Sequence, residues 1–137
     1  MSNITVRHDA GDRYRIQVRG HTVMVDQPVE DGGDDSAPTP TELFVAGLAS
    51  CVAFYGGRYL ARHGLPDEGF GVDCSFAFAK DRPVRVASIE IDVTLPEGFP
   101  AERREAFLAV VEHCTVHNSI SMRPDVRIGL AQDRRAA

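Results

Sequence analysis

"TPTELFVAGLASCVAFYGGRYLARHG", residues 39–64, governs how the rest of the chain is read. Thr39 can accept a hydrogen bond at a helix start, Pro40 follows it, and Glu42 stands three residues after the cap. This is the T-x-x-E capping box, with proline at the first helical position, where its missing N–H costs nothing. The spacing predicts a helix over 40–63, about 36 Å long. It ends at Gly64, with Arg62 and His63 close to the negative end of the helix dipole. Apolar side chains cover nearly its whole circumference, so it should be surrounded by protein on most sides. Ala46, Gly47, Ala49, Ser50, Ala53, Gly56 and Gly57 are small and admit close approach of another helix or a sheet. Gly56 and Gly57 each lower helicity by about 1 kcal/mol relative to alanine, which points to tertiary contacts as what holds this helix.

Outward from the helix, the periodicity changes to two. "ITVRH" (4–8) and "RYRIQV" (13–18) alternate apolar and polar residues and read as strands joined by the turn "DAGD"; "TVMVDQP" is a third. The segment 27–38, "QPVEDGGDDSAP", reads as an exposed loop long enough to be functional or mobile. Beyond the helix, "GVDCSFAFAK" (71–80) and "VASIEIDVTL" (86–95) predict two long antiparallel strands. Val72, Cys74, Phe76 and Phe78 then share one face, and Cys74 reads as a small core hydrophobe. "PAERREAFLAVVEHC" (100–114) has Phe107, Val110, Val111 and Cys114 at helical spacing. A short helix or turn around 116–122 and a last strand, "VRIGL" (126–130), complete the order βββ-α-ββ-α-β. Segregated antiparallel strands with two helices define an α+β fold in a single domain, 1–137. One chain of this size has little with which to cover a long helix apolar all round. A homodimer, with the two long helices enclosed between sheets, is the natural remedy.

Composition excludes several classes. The chain has 137 residues, 26% charged and 43% apolar, with a formal net charge of −5. Its arginines alternate with acids and form no basic stripe, which argues against nucleic acid as a partner. The apolar run is broken by glycines and followed by "RYLARHG", so it reads as a buried helix and not a membrane span. The start lacks the layout of a signal peptide, which makes a reducing cytoplasm the expected compartment.

In that compartment the three cysteines, Cys51, Cys74 and Cys114, suit a working pair plus one bystander. Cys51 on the long helix and Cys114 on the second both lie on core-directed faces, so crossing helices could bring two thiols together in a dry pocket. Inert packing is the competing reading of two such cysteines. A thiol in apolar surroundings is sluggish, and reactivity needs a nearby cation or base. Arg58 lies two turns after Cys51, and His113 and His117 bracket Cys114. Those two histidines with both thiols also suggest a metal site, but H-C-x-x-H splays adjacent ligands about 100° apart on a helix. No metal or organic cofactor is therefore expected.

"PTPTELFVAGLASC" followed by "HCTVHNSI" resembles the OsmC/Ohr family of osmotically induced and organic-hydroperoxide-resistance proteins, over nearly the whole chain. The resemblance implies an intertwined homodimer and a thiol-based peroxidase that reduces organic hydroperoxides. Cys51 would be the peroxidatic residue and Cys114 the resolving one, with a lipoyl group or small thiol protein as dithiol reductant. Family peroxidases carry a glutamate directly after the loop proline and an arginine from an N-terminal turn. Here Thr41 takes the first place with Glu42 one position on, and Arg13 is the nearest candidate for the second. In the OsmC-like branch an arginine recurs at the position of Arg58. Phe44, Leu48, Phe54, Phe107 and His117 are the expected substrate contacts. A non-catalytic redox sensor, or a binder of an apolar or electrophilic ligand, is the alternative reading of the same pocket.

Overall fold

The structure is a computed structural model that describes residues 2–135. Three strands, β1 (Ile4–Ala10), β2 (Arg13–Val18) and β3 (His21–Val25), form an antiparallel sheet in the order β1-β2-β3. The first turn places Gly11 at φ 53°, in the left-handed region that glycine enters without a Cβ penalty. Next comes the long helix α1 (Pro40–Arg62), and then β4 (Gly71–Phe78) and β5 (Val86–Thr94), which pair antiparallel with Cys74 opposite Ile91. Three short helices follow: α2 (Arg104–Val111), α3 (Thr115–Ser121) and α4 (Ala131–Arg135). The fold is α+β, with antiparallel sheets and one long helix, as the patterning predicts.

The start of α1 is the capping box read from sequence. Thr39 Oγ1 accepts the Glu42 N–H at 3.1 Å, and Glu42 Oε1 accepts the Thr39 N–H at 2.9 Å. One face of the helix then packs on β4, β5, α2 and α3. Leu48, Val52, Tyr59, Phe107, Val111 and Cys114 form the buried centre of that contact. Phe107, 1% exposed, stands edge-on to Tyr59 and Phe99, each at 5.5 Å between ring centroids, and to Phe70. Gly56 is what lets these rings reach the helix. A Cβ there would lie 2.7 Å from Phe70 Cζ and 3.0 Å from Phe107 Cζ, inside van der Waals contact.

The opposite face of α1 is open in the single chain. Ala46, Ser50, Phe54 and Arg58 are exposed along it. By length and composition α1 could cross a membrane, but it serves here as the core helix, and a third of its apolar window (33%) is buried. The expectation of a helix covered on most sides is thus met on one side only. The β1–β3 sheet does not supply the missing cover. Among the described residues none of its strands packs broadly on a helix or on the β4–β5 pair.

Three local expectations need correction. The predicted helix 100–114 is a 3-10 turn (Ala101–Arg103) followed by α2, which stops at Val111; Cys114 instead caps the next helix. The last strand, 126–130, finds no partner strand among the described residues and stays irregular, with Val126, Ile128 and Leu130 exposed. A strand exists through its ladder, and alternation alone cannot supply the neighbour. Cys74 is exposed, because on its face of β4 the packing against the core reaches Val72 and stops short of it. The loop after β3, largely exposed as expected, is held at its root. The buried Asp26 carboxylate accepts from Gln27 N at 2.8 Å, Ser36 N at 3.0 Å and Ser36 Oγ at 2.6 Å. Donation from the Ser36 hydroxyl and backbone pulls the Asp26 pKa down to about 2.

Candidate active site

Cys51 sits at the margin between the covered and open faces of α1 and is half-buried against the core cluster. Cys114 is fully buried, 0% exposed, in the break between α2 and α3. Its extended backbone, φ −66° and ψ 155°, makes it the cap of α3, with Sγ accepting the His117 N–H at 3.4 Å. The fold brings the two cysteines into one neighbourhood: Cys51 packs against the buried cluster that contains Cys114. Burial pushes the Cys114 thiol up from its ordinary value, and the neighbouring Cys51 sulfur pushes it the same way. Cys114 is therefore held as a thiol.

The polar surroundings of the pair come from one direction. Tyr55, one turn after Cys51, hydrogen-bonds through its hydroxyl to Thr115 Oγ1 at 2.7 Å, beside Cys114. His117 donates Nδ1–H to the Glu112 carbonyl, and His113 does the same to Ala109 O at 2.7 Å. With Nδ1 occupied, each neutral ring presents Nε2 as an acceptor. Among the described residues no three His, Cys, Asp or Glu side chains gather as metal ligands.

α1, β5, α2 and α3 enclose a half-open cavity of about 470 Å³, which Val52, Glu112 and His117 line but neither cysteine does. Phe44, Leu48, Val52, Ile89 and Val111 make its walls apolar, and Glu112 and His117 lie at one side. Of the expected substrate contacts, Phe44, Leu48 and His117 line this space. Phe107 is spent in the core, and Phe54 lies on the open face, 56% exposed.

The charged groups expected at the thiol lie elsewhere in the single chain. Arg58 reaches back along α1 to stack on Phe54, with Cζ 4.9 Å from the ring centroid, about one turn short of Cys51. Arg13 pairs with Asp9 at 2.6 Å on the β1–β2 hairpin. Glu42 is engaged in the capping box, nine residues or about 13 Å before Cys51 along the helix axis. The pattern of residues 32–129 matches the family described as OsmC-like protein.

The chain belongs to the OsmC-like family.

Solved structures agree on the fold. An osmotic-stress-induced and detoxification-response protein of Psychrobacter arcticus superposes with a TM-score of 0.78 at 23% identity, covering 87% of this chain and 88% of that one. An organic hydroperoxide resistance protein OsmC of Legionella pneumophila gives 0.67 at 18% identity over 93% of both chains. The organic hydroperoxide resistance protein OhrB of Bacillus subtilis gives 0.57 at 16% identity over 95% and 96%. No curated protein matched in a sequence comparison. Tyr55 and Thr115 escaped the sequence reading. Their one signal was position, Tyr55 a turn past one cysteine and Thr115 directly after the other, which has meaning only once α1 and α3 are known to meet.

Proposed function

We propose that this OsmC-like protein is a thiol peroxidase for organic hydroperoxides, using Cys51 as the peroxidatic residue and Cys114 as the resolving one. The observation that carries the reading is that half-buried Cys51 packs against the core cluster holding the fully buried Cys114, near an apolar cavity lined by their chain neighbours Val52, Glu112 and His117. The difference in burial supports these roles: a peroxide would reach the half-buried Cys51 first, with Cys114 behind it.

The Cys51 thiolate attacks the terminal peroxide oxygen. An S–O bond forms as O–O breaks, the sulfur gives up two electrons, and the alkoxide leaves and takes a proton as the alcohol. The Cys114 sulfur then attacks the Cys51 sulfenic sulfur. An S–S bond forms, S–O breaks, and hydroxide departs with the Cys114 proton as water. An external dithiol, a lipoyl group or a small thiol protein, returns two electrons by thiol–disulfide exchange. Apolar walls of the cavity favour an organic peroxide over hydrogen peroxide.

The working form is a cytoplasmic homodimer. Support for it comes from the open face of α1 and the unpacked β1–β3 sheet, which leave apolar surface that a second copy would cover. Stopped-flow mixing with cumene hydroperoxide tests the chemistry. Two thiols should disappear per peroxide reduced, Cys114→Ser should stop at the sulfenic acid, and Cys51→Ser should not react. Equal consumption by Cys51→Ser overturns the assignment. A redox sensor is the second reading, favoured by the engagement of Arg13 and Glu42 with their own neighbours. Turnover with dihydrolipoamide separates the two, since a sensor oxidises once and stops.

A further inference from the structure

We propose that Tyr55 is a positioning residue for the thiol pair, fixing Cys114 against Cys51 through Thr115 and so setting how readily the disulfide closes. This rests on the reading of Cys51 and Cys114 as a redox pair.

The argument starts from the chain break that carries Cys114. Residues 112–114 lie between the end of α2 and the start of α3, and no helix backbone runs through them. Hydrogen bonds inside the segment are plentiful. Asn118 Nδ2 donates to His113 O at 3.1 Å, Ser119 Oγ to Thr115 O at 2.9 Å, and the Asn118 N–H to Cys114 O at 2.9 Å. These bonds shape the segment, but none reaches α1. Among the described residues, Tyr55 Oη to Thr115 Oγ1 is the side-chain hydrogen bond that joins α1 to it, across sixty positions of sequence (|i−j| = 60). One end stands a single turn from Cys51, and the other is adjacent to Cys114. Both cysteines are thus referred to each other through one short polar bridge.

Disulfide geometry makes that reference matter. Closure requires Cβ atoms about 3.5–4.5 Å apart and a narrow torsion, so a small drift of the 112–115 segment removes the productive arrangement. Apolar contacts of Val116 and Val111 hold the segment against the core but are non-directional. The hydroxyl pair, at 2.7 Å, adds a direction. Because Cys51 already packs against the cluster that holds Cys114 in the reduced protein, a restraint that keeps the 112–115 segment against α1 favours closure.

The test needs no peroxide. Wild type, Tyr55→Phe and Thr115→Val are equilibrated with mixtures of dithiothreitol and its oxidised cyclic disulfide. In this exchange two protein thiols give two electrons and two protons to the reagent. Acid quenching, alkylation and peptide mapping then measure the Cys51–Cys114 disulfide. Each variant should lower the effective concentration of the pair by about 3- to 10-fold, the worth of one net hydrogen bond. The double variant should fall no further than either single one, since both remove the same bond. Circular dichroism and urea midpoints of the reduced proteins verify that the variants are folded. An effective concentration within 1.5-fold of wild type in Tyr55→Phe overturns the proposal, as does full additivity of the two changes. Failure of Cys51 to react with cumene hydroperoxide would overturn the peroxidase reading and leave this equilibrium as it stands. Absence of any Cys51–Cys114 disulfide in wild type would overturn both.

Discussion

Gly56→Ala sets two known quantities against each other inside the contact that carries α2 toward Cys51. In an isolated helix, alanine for glycine gains about 1 kcal/mol. Here the new methyl group would stand 2.7 Å from Phe70 Cζ and 3.0 Å from Phe107 Cζ. Carbon atoms prefer about 3.5–4.0 Å, so one ring or the helix must yield by most of an ångström. Phe107 has little room to do so, being 1% exposed and hemmed in by Tyr59 and Phe99. Phe70, only partly buried, takes most of the movement. Overpacking of this kind costs about 1–3 kcal/mol, which outweighs the helical gain and leaves a net loss of about 1 kcal/mol. A double-mutant cycle isolates the cause. Phe70→Leu deletes the nearest overlapping atom, so Gly56→Ala in that background should recover most of the helical gain. Urea denaturation of the four proteins, each at two protein concentrations, should give a favourable coupling of about 1–2 kcal/mol. Coupling below about 0.3 kcal/mol, or a stabilising Gly56→Ala with Phe70 present, would refute the idea that glycine is required here by close approach.

Three further outcomes are expected. Thr39→Ala removes one half of the capping box and should destabilise the protein by about 1 kcal/mol in the same urea assay, with α1 still formed. Asp26 titrates at about 2 when folded and near 3.8 when unfolded, so between these values the unfolded chain binds the extra proton. Its contribution is therefore complete above pH 3.8 and lost as pH falls toward 2. Asp26→Asn should show a flatter acid-unfolding profile than wild type across that window. Phe44, 49% exposed, lines the apolar cavity. Phe44→Ala should lower kcat/KM for cumene hydroperoxide about 5-fold, half the worth of a buried ring, and leave hydrogen peroxide within twofold.

How much was legible in sequence depended on how local the cause was. The T-P-T-E start of α1 is a contact between neighbours in the chain, so Thr39, Pro40 and Glu42 announced it directly. The β4–β5 ladder followed from alternation on both strands, and its register pairs Val72 with Val93 and Phe76 with Ile89. Reading failed where the outcome rested on a distant partner. Residues 126–130 alternate as well as any strand, yet among the described residues no neighbour pairs with them. Cys74 has the right parity for the core but lies past the end of what packs there. The residue before α3 looked like the last turn of a helix, because Phe107, Val110, Val111 and Cys114 keep helical spacing across a real break. Side-chain period reports which way residues would face if the helix continued, and carries no information about whether the backbone bonds persist.

The sequence by itself determined that a long capped helix, apolar nearly all round, carries a cysteine near its middle. It also determined the α+β class, because periods of 3.6 and 2 are written into consecutive side chains. Tertiary structure alone decided that Cys51 packs against the cluster that holds Cys114, that Phe107 goes to the core while Phe44 and Leu48 go to the cavity, and that Tyr55 meets Thr115. Each of these depends on where α1 crosses the α2–α3 break. That crossing is set by the summed packing of Gly56, Tyr59, Phe70, Phe99 and Phe107, a many-body fit that no short stretch of sequence encodes.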